Sequence, residues 1–78
     1  MNSPVEQLVQ VMDQLRSPGG CPWDAEQTHA SLARYLLEET YEALEAMDQG
    51  DLGLLREELG DLLLQVVFHA RIANESDP

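Results

Sequence analysis

The chain contains no lysine, and its one cysteine, Cys21, has no second thiol with which to pair. An internal disulfide is thereby excluded, and with no basic stretch leading into an apolar core at the N-terminus nothing suggests export. A reducing, cytoplasmic setting is expected. Long apolar runs are missing as well: none is longer than Leu62 to Leu64, far short of the roughly 20 residues that span a bilayer. No membrane partner is expected. Positive charge is confined to four arginines against 15 acidic residues, and the formal net charge of -11 would repel a nucleic-acid backbone or an anionic membrane surface. Polymeric nucleic acid is therefore not an expected partner. A length of 78 residues fits one small domain.

What is present is helical periodicity. Hydrophobic residues make up 44% of the chain, too many for a disordered tail. Ser3-Pro4-Val5-Glu6 reads as a helix start, with a capping hydroxyl followed by proline at the first helical position. Val5, Leu8, Val9, Met12 and Leu15 then recur at spacings of three and four until Ser17. The run Ser17-Pro18-Gly19-Gly20-Cys21-Pro22 breaks this first helix, and Asp24 is expected to cap a short turn. Thr28 and Ser31 offer hydroxyls to cap a second helix over about His29 to Asp48, whose apolar side comprises Leu32, Leu36, Leu37, Ala43, Leu44 and Met47. Gly50 suits a left-handed helix end, and Asp51 can cap a third helix over about Leu52 to Ala73. That helix is apolar nearly all round, at Leu62, Leu63, Leu64, Val66, Val67 and Phe68, which predicts contacts on several sides. No segment shows strand alternation. The expected fold class is all-α: an antiparallel helical hairpin plus an N-terminal helix, completed into a four-helix-type bundle by oligomerisation.

Nine of the fifteen acidic residues fall between Glu38 and Asp61. On a helical wheel Glu39 and Glu42 can point together into a groove, and Glu58 and Asp61 lie three apart on the next helix, with Gln65 and His69 continuing their stripe. A tight antiparallel turn brings these four carboxylates face to face. Two carboxylates about 5 Å apart repel by roughly 3 kcal/mol at an effective dielectric near 20, so such a cluster calls for cations. Oxygen-only ligands favour Mg²⁺ or Mn²⁺ over Zn²⁺, and neither helix carries the Glu-x-x-His pair of di-iron carboxylate sites. His69, eight residues beyond Asp61, is too far along the axis to share its metal easily. Spacing alone allows the bland reading of a solvated glutamate face with routine i,i+4 pairing. The polar stripe on an otherwise buried helix favours a site.

Cys21-Pro22-Trp23-Asp24, Glu26-Gln27-Thr28-His29, Leu37-Glu38-Glu39-Thr40-Tyr41-Glu42 and Leu55-Arg56-Glu57-Glu58-Leu59-Gly60-Asp61-Leu62-Leu63-Leu64-Gln65 closely resemble the MazG nucleoside triphosphate pyrophosphohydrolases, over about Leu15 to Asn74. The resemblance implies an all-α fold that dimerises into helical bundles, as a homodimer or homotetramer. It also implies cleavage of a nucleoside triphosphate between the α and β phosphates, giving monophosphate and pyrophosphate. The metal ligands it carries over are Glu39, Glu42, Glu58 and Asp61, and Glu38 matches a carboxylate placed to orient or deprotonate the attacking water. One Mg²⁺ against four carboxylates leaves a negative site, so more than one ion is expected. With no lysine, Arg34 and Arg56 are the candidates for phosphate contact, each with a surface salt bridge as its alternative. Trp23 either stacks on a nucleobase or plugs the core, and Tyr35 either lines the nucleotide pocket or roofs the core. Tyr41 reads as structural, Cys21 as a small buried thiol, and His69 as a buried, hydrogen-bonded histidine. The family domain usually continues into a further helix, so this chain reads as one MazG-like domain, truncated or minimal. A non-catalytic module for dimerisation or for nucleotide or protein binding is the competing function.

Overall fold

The computed structural model describes residues 2–76. Its elements are α1 (Pro4–Arg16), α2 (Pro22–Glu26), α3 (His29–Gln49) and α4 (Leu52–Ser76), with no strand among the described residues. Each main helix starts where a side chain satisfies free amides. Ser3 Oγ accepts from the Glu6 N–H at 3.2 Å at the start of α1. At the start of α3, the Ser31 N–H donates to Thr28 Oγ1 at 3.0 Å while the Thr28 N–H donates to Ser31 Oγ at 2.9 Å, a reciprocal box. Gly50, at φ 70° and ψ 20°, ends α3 in the left-handed region, and Asp51 Oδ1 then accepts from the Leu54 N–H at 3.0 Å to open α4. So short a link makes α3 and α4 an antiparallel hairpin.

The segment after α1 departs from expectation. Asp24 does not cap a turn; it sits inside the five-residue α2, whose N-cap is Cys21 and whose first helical residue is Pro22. Proline's fixed φ starts this turn without a capping side chain. The preceding loop doubles back on α1, with the Cys21 N–H donating to the Leu15 carbonyl at 2.8 Å and the Gly20 N–H to Ser17 at 2.9 Å. A Cβ on Gly20 would collide with the backbone carbonyls of Gln14 and Leu15, which cannot yield as a flexible side chain would. Gly20→Ala is therefore expected to cost about 1–3 kcal/mol, read as a lower melting temperature. Gly60→Ala, on an open helical position, is expected to raise it.

Three helices meet at a core of Met12, Leu32, Val67 and Phe68, flanked by Leu8 and Ile72. One charged side chain clasps the end of α1 to α2 and to the end of α4. Arg16 Nη1 donates to the carbonyls of Asp24 at 2.7 Å and Gln27 at 2.9 Å, while Nε and Nη2 donate to Glu75 at 2.7 and 2.8 Å. Its guanidinium also lies 5.9 Å from the Phe68 ring centroid. Arg71 adds bonds to Asp13 at 2.9 Å and to Glu75 at 2.6 Å.

The apolar side assigned to the second helix is only partly inward. Leu32, Ala43 and Ala46 are buried, but Leu37, Leu44 and Met47 are 56%, 53% and 52% exposed. On α4, Leu59, Leu63, Leu64 and Val66 are likewise open, so a single chain does not surround that helix as its composition predicted. The physical reason is geometric: α3 packs on α4 alone and α4 only on α3 and α1, and so few neighbours cannot cover stripes that wide.

Candidate metal centre

Glu39 lies on the α3 side that faces α4, and Glu58 and Asp61 lie on successive turns of the opposing helix. Carboxylate oxygens of these three residues all come within 4.8 Å of one another. Glu42, one turn beyond Glu39, lies close enough to Glu58 to raise the pKa of its carboxyl. Glu39 Oε2 and Glu58 Oε2 are buried and have no hydrogen-bond partner. Hydrogen bonding to Glu42 is the main reason that the Glu58 carboxyl is pushed up to about 7, with burial and the charges of Glu42, Asp61 and Glu39 adding to it. Burial raises Glu39 first, and then the charges of Asp61, Glu42 and Glu38. These are the marks of acceptors short of positive charge. A proton relieves the repulsion in part, a divalent cation more fully, and an all-oxygen donor set suits a hard ion.

The sign of the proton's effect on stability follows from linkage. An unfolded glutamate titrates near 4.5, so between that pH and about 7 the metal-free fold keeps a proton that the unfolded chain has released. The stability this contributes is full below 4.5 and is lost as pH rises through 7. After treatment with a chelator, the melting temperature is expected to carry a falling component from pH 5 to pH 8 that disappears in Glu58→Gln. Cations compete with the same proton, so Mg²⁺ affinity is expected to rise with pH up to about 7, and titrations in two buffers should register proton release.

The remaining residues singled out in the sequence stand around this cluster. Glu38 is exposed and outside it, paired with Arg34 (Nε to Oε1, 3.6 Å), yet its charge contributes to the raised Glu39. Arg34 also lies 5.8 Å from the centroid of the Tyr35 ring, and Tyr35 meets Trp23 edge to face at 6.5 Å and 72°. Trp23 is half exposed, so it does not plug the core. Arg56 is exposed and makes no ion pair among the described residues. Tyr41 points outward at 64% exposure, and Cys21 is half-buried. His69 is hydrogen-bonded as expected but only half-buried rather than buried, and its partner is an unforeseen one, His29, with the two Nδ1 atoms 2.7 Å apart. The available signal was the hairpin register: setting Glu39 opposite Glu58 also sets His29 opposite His69.

Fold and site together define an all-helical hairpin with an acidic, cation-seeking cluster between its two arms. Residues 27–78 match the MazG nucleotide pyrophosphohydrolase domain, and the chain belongs to that family. It is 60% identical over 70 residues to a nucleoside triphosphate pyrophosphohydrolase/pyrophosphatase MazG of Thermotoga maritima, covering 90% of this chain and 28% of that protein. To a nucleoside triphosphate pyrophosphohydrolase of Mycobacterium tuberculosis it is 65% identical over 68 residues, covering 87% of this chain and 20% of the relative. The corresponding figures for a nucleoside triphosphate pyrophosphohydrolase of Escherichia coli K12 are 56% over 72 residues, 91% and 27%. The chain thus spans from a fifth to a little over a quarter of the length of these curated relatives. No helix among the described residues is long and apolar enough to cross a membrane.

Proposed function

We propose that this chain hydrolyses nucleoside triphosphates to nucleoside monophosphate and pyrophosphate, with Glu39, Glu42, Glu58 and Asp61 holding Mg²⁺, or Mn²⁺ in its place. The observation that carries the reading is the convergence of Glu39, Glu58 and Asp61, two of them with a buried, unpartnered oxygen. The relatives' shared name supplies the reaction. Four carboxylates exceed the charge of one divalent ion, so the site takes more than one. When bound, such ions neutralise polyphosphate charge and acidify water. The chain's own groups do the rest. Glu38, beside the cluster and steadied by Arg34, orients the attacking water and accepts its proton. Arg34 and Arg56 contact the phosphates, and Trp23 with Tyr35 offers an aromatic edge on which a base can stack.

A second copy of the chain covers the open apolar face. Leu37, Tyr41 and Leu44 on α3 and Leu59, Leu63 and Val66 on α4 are exposed at i, i+4, i+7 spacing, the pattern of a helix that packs on another helix. The assembly is a homodimer or homotetramer in which hairpins pair into a four-helix-type bundle. Leu44→Glu is expected to lower the solution mass measured by light scattering to that of a single chain.

The test of the activity is pyrophosphate release from a mixed panel of nucleoside triphosphates, with and without Mg²⁺. Release only with the ion supports the proposal. A folded sample that releases none under any condition would instead be a non-catalytic binding or dimerisation module.

A further inference from the structure

The polar stripe of α4 continues past the carboxylates to a pair of rings that the proposed reaction does not use. His29 is the first residue of α3 and His69 lies in the last third of α4. Their Nδ1 atoms approach to 2.7 Å, with the rings 6° from parallel and their centroids 5.0 Å apart. Only one proton fits between two Nδ1 atoms this close, so one ring donates and the other presents a lone pair. The Nε2 of His69 is buried and unpartnered, whichever tautomer it holds. Burial, and then the neighbouring His29, lowers the pKa of the His69 imidazole and keeps it neutral, the form that binds metals.

We propose that His29 and His69 form a second cation site, a two-imidazole clamp through their Nδ1 atoms, for a borderline transition-metal ion of the Zn²⁺ or Ni²⁺ class. Zinc binds imidazole nitrogen at about 2.0–2.1 Å, so two such ligands sit about 2.9 Å apart at a right angle and about 3.4 Å apart in a tetrahedron. The two Nδ1 atoms face one another along the line between the ring centres, so the His29 ring must swing until both lone pairs converge on one point, with the nitrogens parting from 2.7 Å to that spacing. His29 is exposed on a first helical turn, where its ring can move and water can complete the coordination. The ion takes the place of the shared proton. Chemistry separates this site from the carboxylate cluster, because imidazole prefers zinc, copper and nickel whereas carboxylate prefers magnesium and manganese. Distance separates it too, since eight residues of helix between Asp61 and His69 amount to about 12 Å. Binding would tie the first turn of α3 to the far part of α4 and stabilise the fold by mass action.

The experiment is a Zn²⁺ titration of the full chain by calorimetry in saturating Mg²⁺, with the histidine nitrogens followed by NMR. One Zn²⁺ per chain, displacement of both Nδ1 resonances and a higher melting temperature are expected. Loss of a ligand's supporting contact alone costs roughly 10–100-fold in affinity, so His29→Ala and His69→Ala should each weaken binding at least tenfold. His29→Ala, on an exposed residue, keeps the test independent of core packing, and Glu42→Gln should bind Zn²⁺ as the unaltered protein does. No saturable binding overturns the proposal, and so does binding that survives His29→Ala but is lost in Glu42→Gln. The readout needs no nucleotide, so its failure is distinct from failure of the hydrolase reading.

Discussion

Glu42→Gln is expected to reduce pyrophosphate release by roughly 10²- to 10³-fold or more while leaving the helical fold intact. Glutamine keeps the size and helix propensity of glutamate and removes only the charge. Glu42 is exposed, so its loss leaves no cavity, and the metal-free protein should melt no lower than before because one repelling carboxylate has gone. Turnover would fall for an electrostatic reason: the cluster shares fewer negative charges among the ions it must hold. Rates measured beside circular dichroism and melting curves decide the matter, and near-normal turnover in a folded variant would remove Glu42 from the ligand set. Glu38→Gln should leave Mg²⁺ binding close to normal and lower the rate at saturating ion, because Glu38 stands outside the cluster.

Arg16→Ala should be the most destabilising substitution of a charged residue outside the site. Its side chain is only 6% exposed and holds two carbonyls and a carboxylate together from three parts of the chain. Truncation orphans the Gln27 carbonyl, leaves the Asp24 carbonyl with only the 3.4 Å bond from the Gln27 N–H, and uncovers the edge of Phe68. A buried unsatisfied polar group costs about 1–3 kcal/mol, so a total of about 2–4 kcal/mol is expected, and for a chain of this size a fall of ~10 °C or more in melting temperature. Arg16→Lys should recover little, because one ammonium cannot reach Glu75 and both carbonyls in the planar fork that guanidinium provides. If Arg16→Ala melts with the unaltered protein, the clasp contributes nothing.

These two predictions differ in how readily the sequence discloses their basis. Caps are local, so Ser3, Thr28 with Ser31, Gly50 and Asp51 announce three helix starts and a tight turn within four residues of where each acts. Once that turn is fixed, antiparallel register follows, and with it the approach of Glu39 to Glu58 and Asp61. Helix α2 is too short to show periodicity, and its start depends on proline geometry rather than on a cap. Leu37, Leu44 and Met47 mislead because a wheel displays an apolar stripe but not how many neighbours are present to cover it. The Arg16–Glu75 clasp joins residues 59 apart and leaves no periodic trace, and His29 with His69 is visible only after register has been worked through. The pairing of Glu42 with Glu58 that raises the Glu58 pKa depends on distances finer than any wheel resolves.

The disposition of the arginines sets how an anionic ligand would reach this molecule. Arg16 and Arg71 are both spent on Glu75, and Arg34 leans on Glu38, within a chain of formal charge -11. Arg56 alone stands outside an ion pair among the described residues, too little to offset that charge at long range, so diffusional encounter of a polyphosphate runs uphill until the last few ångströms. Added salt should then quicken association by shortening the reach of that repulsion, the reverse of what a cationic funnel would give.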